Sequence, residues 1–169
     1  MPISTASKIQ FEYMLGGGPP AMVTLPESSG QTFLPGAFLK LDSSGHTVKA
    51  TTGTLATGTY LALQAGANST ADGITEAPVI VIDSRTVMSG VVYHATTASA
   101  VTSSTQYGDR WPLVAATDSG DQCWVISIAS SGEGAWILKS KDATGTAYGR
   151  LYFLLSGISE VDSPWAATG

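Results

Sequence analysis

The stretch Ala37-Phe-Leu-Lys-Leu-Asp-Ser-Ser-Gly-His-Thr-Val-Lys-Ala50 decides the fold. Ala37, Leu39 and Leu41 alternate with Phe38, Lys40 and Asp42, and a period of two puts successive side chains on opposite faces of a strand. Ser43-Ser-Gly45 supplies turn chemistry into Thr47-Val-Lys-Ala50, so the segment reads as a β-hairpin. The pattern continues outward. Tyr60-Leu-Ala-Leu-Gln64 is flanked by Gly58 and Gly66, and Pro78-Val-Ile-Val-Ile82 is apolar on both faces, as expected of a central strand covered on both sides. Residues 87–93, 111–114, 123–128, 135–138 and 150–155 complete a series of short apolar segments separated by turn residues. That series predicts an all-β protein, a compact antiparallel sandwich or barrel. No stretch sustains a helical apolar period, residues 95–107 hold one helical turn at most, and the lack of a fixed repeat argues against a solenoid or propeller.

The ends differ from this body. Ile9, Phe11 and Tyr13 alternate with polar residues and suggest a short strand, after which Gly16-Gly-Gly-Pro-Pro20 breaks regular structure. A further turn signal stands at Pro26-Glu-Ser-Ser-Gly30. Residues 1–30 read equally as an extended N-terminal arm that pairs elsewhere and as a first strand plus a long loop of the same domain. The arm reading divides the chain into the arm, a β-rich domain over residues 31–156 and a C-terminal tail over residues 157–169. It predicts that deleting residues 1–20 leaves melting nearly unchanged.

Small and hydroxyl residues dominate the 169-residue chain, with 21 Ala, 19 Gly, 20 Ser and 20 Thr. Charged residues are 12%, about half the usual share. The net charge of -5 argues against an electrostatic nucleic-acid binder, which needs a basic patch, and the 43% hydrophobic content argues against disorder. The single Cys123 excludes an intramolecular disulfide framework and any multi-cysteine zinc site, and in an apolar strand it reads as a small hydrophobe. The N-terminus lacks the apolar run of a signal peptide, no window is long and apolar enough for a membrane-spanning helix, and Asn68-Ser-Thr70 reads as a surface turn.

A search for chemistry finds no nucleophile elbow, phosphate-binding loop or zinc-protease helix. The histidines, His46 and His94, have no diagnostic spacing to the many serines. Asp118-Ser-Gly-Asp121 lacks the further oxygens of a calcium loop and reads as a turn. No enzyme activity and no cofactor are expected. Among the tryptophans, Trp124 and Trp136 sit inside apolar strand candidates and read as core, whereas Trp111 and Trp165 read as surface anchors. The expected partner-binding residues are Ile9, Phe11 and Tyr13 on the arm, with Trp111 and Trp165.

One ordered set of segments carries a resemblance. Gly30-Gln-Thr-Phe-Leu-Pro-Gly36 leads into the hairpin at 37–50. Then follow Tyr60-Leu-Ala-Leu-Gln-Ala-Gly66, Val79-Ile-Val-Ile-Asp83, Thr86-Val-Met88, Tyr107-Gly-Asp-Arg-Trp-Pro-Leu113 and Arg150-Leu-Tyr-Phe-Leu-Leu155. In order and spacing, over about residues 30–156, this resembles the head decoration (capsid cement) proteins of tailed bacteriophages; the longer arm and the tail depart from that pattern. The resemblance implies a homotrimer on the outer capsid surface of the virion, assembled in the host cytoplasm. Its partner would be the major capsid protein, whose neighbouring subunits it bridges against the pressure of packaged DNA, with no nucleic-acid or membrane partner. A receptor- or glycan-binding domain of a phage fibre or surface appendage is the alternative.

Overall fold

A computed structural model of the chain describes residues 8–50, 59–94, 99–118, 121–129, 132 and 134–156. Its strands are β1 (Gln10–Met14), β2 (Met22–Pro26), β3 (Phe38–Leu41), β4 (Thr47–Lys49), β5 (Tyr60–Ala62), β6 (Glu76–Val81), β7 (Thr86–Tyr93), β8 (Arg110–Asp118), β9 (Asp121–Ser127), β10 (Gly134–Ser140) and β11 (Arg150–Leu155). The 3-10 turn Ser104–Gln106 is capped by the Ser103 side chain with Gln106 reaching back to the Ser103 amide.

The strands form two sheets. The six-stranded sheet runs β1-β7-β11-β10-β8-β9, and a parallel pairing of β9 with β7, Val92 opposite Ile126 and Tyr93 opposite Ser127, closes its last five strands into a barrel. One edge of β7 therefore serves two partners in succession: β1 along Thr86–Ser89 and β9 at Val92 and Tyr93. The five-stranded sheet runs β2-β6-β5-β3-β4, and its two edges meet at a bridge between Glu27 and Thr47. The expected all-β architecture is the one observed.

One core joins the two sheets. Phe38, Leu61, Ile80 and Ile82 from the five-stranded side pack with Met88, Trp124, Ile126, Ile137 and Phe153 of the barrel. Phe38 meets Trp124 edge to face, ring centroids 5.3 Å apart. The opposite face of the five-stranded sheet carries a second cluster, Leu39, Ala62, Ala77 and Val79 closed over by Phe33. Residues 77–82 thus bury alternate side chains in two different cores, which is why that stretch shows no polar alternation.

Residues 8–30 are part of the two sheets and do not form an appended arm. β1 pairs antiparallel with β7, β2 pairs antiparallel with β6, and Ile9 and Met14 are buried. The two strands go to different sheets, and residues 15–21 are the passage between them. The Gly-Gly-Gly-Pro-Pro run marks that crossing and not a domain boundary. Residues 157–169, the expected tail, lie outside the described residues.

Candidate functional site

Where the two sheets adjoin, a groove of about 520 Å³ opens. One wall is residues 8–12 at the start of β1, and the others are Pro20, Met22, Pro35, Gly36, residues 61–63 and Ile80. Both end strands contribute, since β1 terminates the six-stranded sheet and β2 the five-stranded one. Unpaired strand edges are templates for pairing with another chain, and here they are short, with a register irregularity between Phe11 and Tyr13 on β1 and a proline closing β2. Exposed apolar side chains gather on the same segments: Met22 is 64% exposed, with Tyr13, Leu15, Val23 and Leu63 also open to solvent.

A polar clamp holds β1 against the barrel. Arg150 donates from Nη2 to the carbonyls of Lys8 (2.9 Å) and Ser89 (2.7 Å), and from Nε to Ser89 Oγ (2.9 Å). Ser89 Oγ in turn donates to Glu12, which also receives Lys141 Nζ. Desolvation pulls the Arg150 guanidinium below its usual range, opposed by the charges of Glu12 and Asp142. Tyr13 lies edge-on to Tyr152, centroids 6.0 Å apart, and the ammonium groups of Lys139 and Lys141 sit over the Tyr152 ring.

The structure sorts the expected partner-binding residues differently from the sequence. Ile9 is 1% exposed and belongs to the joint core, so it holds β1 in place and is closed to a partner in this arrangement. Phe11 lines the groove, half-buried, and Tyr13 is exposed. Trp111 and Trp136 exchange their expected places. Ala135 pairs with Trp111 and Trp136 with Arg110, so Trp111 shares the inward face of buried Ala135 and packs against the core, while Trp136 points out, 43% exposed. The indole nitrogen of Trp111 is buried with no hydrogen-bond partner among the described residues. Trp165 lies outside them.

Other polar side chains lie at turns. The Asp83 carboxylate accepts from the Arg85 amide and guanidinium and from Thr86 Oγ1, closing the β6–β7 turn. His46 sits in the β3–β4 turn with Nδ1 3.8 Å from Asp42 Oδ2. Asp118 and Asp121 are the last register pair of β8 and β9, and Asn68 takes a left-handed conformation at an exposed position. Sequence reasoning missed Glu27, 1% exposed in a segment read only as a turn: its carboxylate accepts from the Ala67 amide and Thr75 Oγ1, both at 3.0 Å, and ties the 64–75 loop to β2. Among the described residues no group of three or more His, Cys, Asp or Glu side chains is placed to hold a metal ion, and no helix is long and apolar enough to cross a membrane.

Comparison with protein-family models, with curated proteins and with solved structures gives no match for this chain.

Proposed function

We propose that this chain is a structural virion protein that binds the outer capsid surface and cements neighbouring coat subunits, acting as a homotrimer. The observation that carries this reading is the groove, where two end strands and the exposed apolar side chains of Met22 and Leu63 come together. An extended coat-protein segment adding to such an edge gains main-chain hydrogen bonds and side-chain pockets together. The ordered resemblance of residues 30–156 to capsid cement proteins supplies the identity of the partner. Three copies on fixed sites multiply a weak contact into high avidity. Adding the purified protein to capsids that lack it tests the reading: saturable binding and a higher capsid melting temperature are expected, with little loss of binding as salt rises. No binding and no gain in melting temperature would sink it.

A second reading rests on Trp136 and Tyr107, both exposed aromatics on or beside the barrel. Such side chains stack on sugar rings, and a glycan array that gives hits abolished by Trp136→Ala would favour a glycan-binding role.

A further inference from the structure

The seat of β1 is made of contacts that do not depend on which copy supplies the strand. Ile9 enters a socket shaped by missing side chains: a Cβ on Gly90 would lie 2.8 Å from Ile9 Cδ1, and one on Gly36 would lie 2.4 Å from the Ile9 carbonyl oxygen. The Arg150 clamp, the Glu12 bonds to Ser89 and Lys141, and the Leu15 amide bond to the Arg85 carbonyl (2.8 Å) complete it. The passage that follows is held far less. Gly16, Gly17 and Gly18 all have φ between +81° and +92°, and a Cβ on any of them would meet nothing within 4 Å. A single backbone bond, Gly17 amide to Met14 carbonyl at 3.0 Å, folds this turn.

We propose that residues 8–15 are an exchangeable strand, and that the seat on β7 takes the same strand from a second copy of this chain. Exchange keeps the socket, the clamp and the β1–β7 ladder and alters only the glycine turn, which is what makes strand swapping a low-cost route to oligomers. The five residues 16–20, opened out, span about 17 Å, and glycine at three of them allows the turn to unfold in any direction. The occupant is a second copy because the seat is complementary to residues 8–15 themselves: isoleucine for the glycine socket, a carboxylate three residues on for Ser89 and Lys141, and a tyrosine for the Tyr152 edge. This inference goes beyond the capsid reading and does not depend on it.

Disulfide trapping tests it, since Tyr13 and Val87 are opposite one another in the β1–β7 register. Tyr13→Cys and Val87→Cys are made as separate variants of the full chain, each carrying Cys123→Ala, then refolded together and oxidised. A mixed covalent dimer on a non-reducing gel, absent when either variant is oxidised alone, is the expected result. Failure to form it, with the double variant cross-linking only within one chain, overturns the proposal. Inserting four glycines between Gly18 and Pro19 gives a second reading that does not touch the strand or its seat. The unaltered chain should be oligomeric by light scattering and the insertion should shift it toward monomer, because lengthening the hinge favours the within-chain arrangement over exchange. An unaltered chain that is monomeric at every concentration, or an oligomer indifferent to the insertion, overturns it as well. The capsid-binding assay reads separately, so a negative result here leaves that reading standing.

Discussion

A Cβ placed on Gly90 would stand 2.8 Å from Ile9 Cδ1, so the residue that anchors the first strand occupies the space a side chain on β7 would fill. Two positions far apart in the chain are thereby matched in size, and the match ties the N-terminal segment to the barrel.

Gly90→Ala should therefore destabilise the protein by about 1–3 kcal/mol, the usual cost of forcing extra volume into a packed core. Gly36→Ala should cost more, because its added Cβ meets backbone 2.4 Å away and its φ is +84°. Denaturant titration of both variants checks the order; equal stability to the parent chain would show that Ile9 moves aside freely.

Ile9→Ala should cost about 2–5 kcal/mol, as for other fully buried aliphatic side chains, and Ile80→Ala a similar amount. Deleting residues 1–20 should for the same reason lower the melting temperature markedly, against the expectation drawn from sequence that melting would hardly change. A deletion that melts like the parent would restore the arm.

Arg150→Met should lose about 2–3 kcal/mol, since it removes the charge-assisted hydrogen bonds to Lys8 and Ser89 and leaves their carbonyls without that partner. The partial exposure of Arg150 keeps the figure below that of a fully buried ion pair. Hydrogen exchange should report the loss first in β1, and uniform loss across the barrel would place the effect elsewhere.

Acid should weaken the protein through Asp42 and Asp72. The His46 amide is the main influence holding the Asp42 carboxyl below its usual 3.8, with the Ser44 amide and the His46 charge adding to it; Asp72 is held down first by the Ser29 amide and then by the Ser28 hydroxyl. A carboxyl whose pKa is lowered by folding stabilises the native state above its unfolded value and loses that contribution as pH falls through the folded value. Melting temperature should be level from neutral pH to about 5 and decline below about 4. The variant carrying Asp42→Asn and Asp72→Asn should decline less steeply; an unchanged slope would assign the acid sensitivity to other groups.

On the proposed capsid-cementing role, Met22→Asp should weaken capsid attachment at least tenfold, about 1.4 kcal/mol, by placing a charge on the most exposed apolar residue of the groove. Binding isotherms at two salt concentrations would check it, and parent-like affinity would move the contact to another face.

The strand pattern was legible because alternation is a local signal. The hairpin of β3 and β4, the doubly buried β6 and the strand at Phe11 and Tyr13 could all be read from adjacent residues. What could not be read was which edge each strand joins. Nothing near Ile9 announces Gly90, so the sequence leaves an arm and a first strand of the same domain equally open, and the β1–β7 pairing is the second of these. The tryptophans went astray for a related reason: Trp111 and Trp136 both lie in apolar runs, and the face each takes is set by its register across β8 and β10. Glu27 was invisible because the amide and hydroxyl that satisfy its buried carboxylate come from the 64–75 loop.

The place of β11, between β7 and β10, has a consequence for synthesis. A nascent chain can assemble the five-stranded sheet once residue 81 has left the ribosome, since all its strands lie between Met22 and Val81. The barrel must wait for Leu155, because β11, which joins β7 to β10, is translated last among the described strands. Until then Met88 and Val92 of β7 lack one neighbour, and the first strand made has no finished barrel to dock on. β1 precedes every other described strand in the chain, yet the barrel it docks on is complete only after β11 is made.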